Sequence, residues 1–290
     1  MIDKSLHQVT EFASTENFLA AKSVPAGIST IWVNGLPIDL LVNPAESDTT
    51  IFFFHGTIER HFTLPVLSGL GISGAVNANR VFVSDPSLVL DETLMLAWYA
   101  GNHHQPNLQE VLTNILRKIA ESLGSKKVVF FGGSGGGFAS LYFASQFENS
   151  LALVFNPQTD IAKYSERAVR DFAKKSFGVE SETTNPLANL PSEVVTDVCD
   201  IYTIPTPATV AYLQNQKDTV HVETHLGPFL DSLHAETDLL LLKEPWRDGH
   251  SPPPKQLLSQ VLDLAASSAD WVEDFSSIGF DRYPQTAVLD

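Results

Sequence analysis

Residues 128–143, VVFFGGSGGGFASLYF, constrain the chain more than any other stretch. An apolar run, Val128 to Phe131, meets a glycine cluster centred on Ser134, and a mostly apolar helical stretch follows from Phe138. This reads as strand, tight turn, helix. Side chains two residues before and two after the serine would collide where strand reverses into helix, so Gly132 and Gly136 have a steric role. The segment matches G-x-S-x-G, a strained turn that lifts a serine hydroxyl above the edge of a sheet. The free N–H groups at the helix start face the same point and favour negative charge there.

Two other glycine-rich turns are excluded by the residues that follow. A phosphate loop ends in Gly-Lys-Ser/Thr, and the next lysine is Lys163. A dinucleotide fingerprint ends in glycine or alanine, but its last position falls on Phe138 when counted from Gly133 and on Ser140 when counted from Gly135. An inert serine in a glycine-rich turn is the alternative the rest of the chain must decide.

With 290 residues, 43% hydrophobic and 18% charged, the chain is expected to form one large domain or two small ones with a sizeable core. Its net charge of −16 repels phosphate backbones and anionic headgroups, so neither nucleic acid nor a membrane surface is an expected partner. Cys199 is the single cysteine, which suits a reducing compartment. The N-terminal MIDKSLHQVTEF lacks a signal-like apolar core, and no run reaches the ~18 apolar residues of a membrane span. A cytoplasmic location is expected.

Residues 1–28 read as an N-terminal leader with one helical stretch near Glu16 to Ala21, and 29–290 as a single domain. Within STIWVNGLPIDLLVNP, two apolar segments flank Asn34-Gly35, which predicts a β-hairpin. Thr50 to Phe54 is a continuous apolar run, as in a strand buried on both faces, and ends in His55-Gly56-Thr57. Further strands are expected at 81–83, 128–131, 151–155, 209–213 and 239–242. Leu108, Val111, Leu112, Ile115, Leu116 and Ile119 share one helical face, and Gly124 marks its end. The alternation predicts an α/β fold: a mostly parallel central sheet with helices on both faces and functional residues at the carboxyl ends of the strands. Polar, turn-rich residues 176–200 are the expected cap or lid insertion.

The serine turn and the strand order around it resemble the α/β-hydrolase family over roughly residues 29–267. The resemblance implies a nucleophile at Ser134, an acid after the next strand but one, and a histidine after the last parallel strand. Asp218 in YLQNQKDTV and His250 in KEPWRDGHSPPP fill those places, with Asp160 as the rival acid. The order Ser134, Asp218, His250 is the order of that family. Chemistry asks for this set because a serine hydroxyl needs an imidazole to take its proton, and a carboxylate fixes the imidazole tautomer. The resemblance implies oxyanion donors at Gly135 and at Thr57, with Gly56 as alternative. His55 is expected to organise that loop.

Asn156 and Gln158 follow the strand next to the serine turn, and Trp98 and Tyr99 lie in LAWYAGN; these four are expected to border a substrate pocket, with Tyr164 beside them or packed in the core. His221 and His225 form H-x-x-x-H without the glutamate of zinc peptidases, and His103-His104 lies in a polar loop, so neither a catalytic metal nor a cofactor is expected. The leading expectation is cleavage of an acyl bond, an ester above all, in a small-molecule or glycan-linked substrate through an acyl-enzyme. The alternatives are acyl transfer to a sugar or other alcohol, and a non-catalytic binding module. A lyase or cofactor-free oxygenase, for which the serine is dispensable, is a further alternative.

Overall fold

The computed structural model describes residues 7–180 and 183–283. Ten strands form one sheet in the order β1-β2-β3-β5-β4-β6-β7-β8-β9-β10. They are β1 (Val9–Phe12), β2 (Gly27–Val33), β3 (Leu36–Asn43), β4 (Thr49–Phe54), β5 (Asn79–Val83), β6 (Lys127–Gly133), β7 (Ser150–Phe155), β8 (Ala208–Asn215), β9 (Leu239–Glu244) and β10 (Asp281–Tyr283). Only β3 and β10 run against the others. The hairpin expected at Asn34-Gly35 joins β2 to β3, and both turn residues have positive φ, 50° and 84°. Asparagine and glycine reach that region at low cost, and this sets the register of the pair.

Among the described residues, nine α-helices pack on the sheet: α1 (Thr15–Leu19), α2 (Leu70–Ser73), α3 (Leu108–Ser122), α4 (Gly135–Ala144), α5 (Glu166–Phe177), α6 (Thr219–His221), α7 (Gly227–Ser232), α8 (Lys255–Ser267) and α9 (Trp271–Ser277). The period of two in each central strand divides the core. In β4, Phe52 and Phe54 join the cluster under α1, α3, α4, α5 and α7, whereas Ile51 and Phe53 join the cluster under α2, α8 and α9. The strand is fully buried because both faces are covered.

The 1–28 leader, over its described residues, is built into the domain. β1 pairs in parallel with β2, and Phe18 of α1 is completely buried, packed edge-on against Phe12. Polar spacing hid β1 because an edge strand buries little of either face; its pattern alternates between exposed and half-buried. In the expected cap, the described part of 176–200 carries one 3₁₀ turn, Pro186–Asn189, and an isolated bridge from Asp197 to Asp160. The excursion from the sheet is longer, running from the end of β7 to the start of β8 and including α5. Among the described residues no helix is long and apolar enough to cross a membrane.

Candidate active site

Ser134 sits between β6 and α4 with φ 55° and ψ −123°, a region an L-residue occupies only under constraint, at a cost of about 1–3 kcal/mol. The surroundings supply that constraint. A Cβ on Gly132 would lie 2.2 Å from the Gly136 carbonyl oxygen, and one on Gly136 would lie 2.3 Å from the Phe54 carbonyl oxygen. Strand, helix and β4 therefore touch through backbone, and the serine between them has no room to relax. The N–H groups of Gly137 and Phe138 bond to the Ser134 carbonyl.

The hydroxyl is held from below. Gln158, wholly buried, donates from Nε2 to Ser134 Oγ at 2.8 Å, and Trp98 Nε1 donates to Gln158 Oε1 at 2.5 Å. Indole can only donate, so it fixes which end of the amide faces the serine. Ser134 Oγ thus accepts from Gln158 and keeps its own proton free to be given away. Trp98 and Tyr99 are 0% and 1% exposed and do not line the cleft. Both have positive φ, 54° and 57°. They sit in the floor beneath the site, where sequence reasoning had placed them on a substrate wall.

Asp218 follows β8 and caps α6, accepting from the His221 N–H at 3.3 Å. His250, on the loop after β9, approaches it with Nδ1 2.6 Å from Asp218 Oδ2. The carboxylate is 4% exposed and the imidazole 37% exposed. Burial by itself would raise the Asp218 carboxyl, but the hydrogen bond from His250 and the favourable electrostatics of the His221 and His250 imidazoles beside it outweigh it and hold it below the ordinary carboxylate range. An ionised carboxylate only accepts, so the Nδ1 of His250 carries the proton and Nε2 is left as the basic atom. The Ser134 hydroxyl is turned to Gln158 and not to His250.

The His250 loop is tied down by two buried asparagines. Asn215 donates from Nδ2 to the carbonyls of Arg247 and Gly249, at 2.6 and 2.9 Å. Asn156 donates to the Ser251 carbonyl at 2.8 Å and accepts from the Asn215 N–H at 2.7 Å. Asn156 also lines the cleft, so it borders the site and braces it. Asn215 was not singled out from sequence; its signal was a polar residue closing an otherwise apolar strand.

On the opposite wall the loop after β4 lies against the serine turn: a Cβ on Gly56 would be 3.3 Å from Ser134 Cβ. His55 anchors that loop. Its Nδ1 bonds to the Gly56 carbonyl at 2.8 Å and its Nε2 accepts from the Asp85 N–H at 3.1 Å, so it is neutral with the proton on Nδ1. Burial lowers its pKa to about 4 and raises that of Asp85 to about 6. Thr57 is exposed at the cleft.

Ser134, His250, Gly56, Thr57, Asn156 and Tyr164 line one cleft of about 620 Å³ whose remaining wall includes Phe131, Phe155 and Ile72. Asp160 is elsewhere: it caps the turn at Ile161–Lys163 by accepting from the Ala162 N–H and bridges to Asp197. His103 bonds to the Ser176 carbonyl, away from the cleft. Asp218, His221 and His250 each offer one ligand atom within 4.8 Å of the others. The two rings are stacked 14° from parallel, and the Nδ1 of each is directed at the Asp218 carboxylate.

No protein-family model and no curated protein sequence matches the chain. Solved structures do. A capsule O-acetyltransferase of Neisseria meningitidis serogroup A superposes with a TM-score of 0.57 at 12% identity, covering 84% of this chain and 98% of that one. An S-formylglutathione hydrolase from Agrobacterium tumefaciens gives 0.56 at 13% identity, covering 82% and 91%. At such identities the likeness shows the fold, and the chain has the α/β-hydrolase fold.

Proposed function

We propose that the chain is a serine-dependent acyl hydrolase that works through an acyl-enzyme on Ser134 and cleaves an ester. One observation carries this reading: a buried carboxylate, Asp218, holds the imidazole of His250 at 2.6 Å, and both His250 and the strained Ser134 open onto one cleft.

In the reaction, Ser134 Oγ attacks the acyl carbonyl as His250 Nε2 takes its proton. Apo hydrogen bonds of this kind commonly close only when substrate is bound, here by turning the hydroxyl from its resting position. Asp218 keeps the tautomer and stabilises the imidazolium. The N–H groups of Gly135 and Thr57 receive the developing oxyanion; loss of one such donor costs roughly 10²–10³ in rate. His250 then gives the proton to the leaving alcohol, and a water activated by the same nitrogen releases the acyl group. Gln158, donating to Oγ, favours charge on that oxygen both as it attacks and as it departs.

The exposed edge of His250 admits water, which favours hydrolysis. Transfer to a sugar or other alcohol is the second reading, supported by the shared fold with an enzyme whose described activity is capsule O-acetylation. The apolar wall of Phe131, Phe155 and Ile72 suits an acyl chain or a hydrophobic leaving group.

Intact-mass labelling with a fluorophosphonate tests the reading. One adduct on the native chain, none on Ser134→Ala and a strongly slowed one on His250→Ala are expected. An unlabelled native chain that also resists a small sulfonyl fluoride overturns it in favour of a binding module. Ester turnover that survives Ser134→Ala would point instead to a lyase-type or oxygenase-type site.

A further inference from the structure

Asp218 serves a second histidine. The spacing Asp218-x-x-His221 spans about one helical turn, and because Asp218 caps α6 it brings the two side chains together. His221 is 3% exposed. Its Nδ1 lies 3.0 Å from Asp218 Oδ2, the same oxygen that takes the Nδ1–H of His250, and 3.1 Å from Oδ1. Its ring stacks on that of His250, with centroids 4.0 Å apart.

The groups facing His221 fix its state. From its own helical stretch these are Asp218 and His225, whose rings lie 4.9 Å apart; from the loop after β9, His250; from the excursion after β7, Tyr164 with ring centroids 6.1 Å away. His225 Nδ1 accepts from the Thr159 N–H, so it is neutral and presents no cation. Burial and the neighbouring His250 push His221 down to about 4. It is therefore a neutral imidazole with its proton on Nδ1, pointing at the carboxylate, and its buried Nε2 has no hydrogen-bond partner among the described residues.

The geometry points to His221 as a positioning residue that sets the basicity of His250. Two N–H donors share one carboxylate, His250 on Oδ2 and His221 on Oδ1, so the charge Asp218 offers to the imidazolium of His250 is partly spent on His221. The stacked ring also closes one face of His250 and limits its rotation. The inference rests on the acyl-enzyme reading, in which His250 is the base.

The experiment is the pH dependence of fluorophosphonate labelling of Ser134, which needs no known substrate. His221→Phe keeps a ring against His250 and removes the donor; the acidic limb of its profile is expected to move to higher pH, by about half a unit to one unit. His221→Asn places an amide N–H where Nδ1 was and is expected to bring the limb back toward that of the native chain. Coincident limbs for His221→Phe and the native chain overturn the inference while leaving the acyl-enzyme reading intact; no labelling of the native chain removes both. Should His221→Phe fail to fold, a histidine NMR titration of the native chain decides. His221 is expected to remain an Nδ1–H tautomer through neutral pH, and a cationic His221 near pH 7 overturns the inference.

Discussion

The two halves of the site are held by different means. Ser134 is fixed by backbone: three glycine contacts and a helix start leave its dihedrals no freedom, and the residues on either side of it are buried. His250 is fixed by side chains, namely Asp218, Asn215 and Asn156, acting on a loop whose surface is largely exposed. The difference teaches where each half is vulnerable. Steric changes should break the Ser134 half through the fold, whereas loss of single hydrogen bonds should loosen the His250 half and leave much of the fold in place.

The largest effect is expected at the glycines. Gly136→Ala drives a Cβ into the Phe54 carbonyl of β4, neither of which can move cheaply, so a loss of about 4 kcal/mol or more is expected in denaturant unfolding. A variant of native stability would show that the turn can relax and would end the contrast.

Acid should separate the two walls next. Buried histidines with lowered pKa values contribute stability that is present above ~6.5 and lost as pH falls toward 4. His221, lowered to about 4, and His225, lowered to about 3 chiefly by burial, act this way on the base side. On the oxyanion side His55 does the same, but Asp85, raised to about 6, contributes stability present below ~4 and lost as pH rises through 6, and so offsets it. Calorimetry from pH 7 to 4.5 should show stability falling, because three histidines lose stability over this range and one carboxyl returns it. The fall should shrink in His225→Gln far more than in an Asp85→Asn, His55→Gln double variant.

Asn215→Ala strips both carbonyls of the His250 loop of their donor. A loss of about 2–3 kcal/mol is expected, with labelling of Ser134 slowed at least about tenfold. Labelling at the native rate would mean that Asn156 alone suffices to place the base.

The smallest effect reverses sign. Ser134→Gly relieves the positive φ, and a gain of about 1 kcal/mol, or roughly 2–4 °C in Tm, is expected together with complete loss of labelling. An unchanged Tm would mean the dihedral is not strained.

Much of this arrangement was legible because it is local. G-x-S-x-G between an apolar run and an apolar helix dictates strand, turn and helix from steric limits that act within five residues. The Asn34-Gly35 turn and the runs at 50–54 and 151–155 were readable for the same reason: dihedral preference and burial on two faces leave a mark on adjacent residues. β1 and β10 lie at sheet edges, where half-buried residues carry little periodic signal, and so they did not stand out.

Ser134 as the residue at the turn, and the chain order of serine, acid and histidine, were set by the sequence alone. Which carboxylate meets His250 was decided by tertiary structure: Asp218 and Asp160 both follow strands, but the loop after β9 folds back over β8, where Asn215 holds it, and only Asp218 is there. The same is true of Trp98, Gln158 and Ser134, which are brought together from distant parts of the chain. Hydrogen bonds between residues 24, 32 and 60 positions apart leave no pattern along the chain. Their partners are chosen by the order of strands in the sheet.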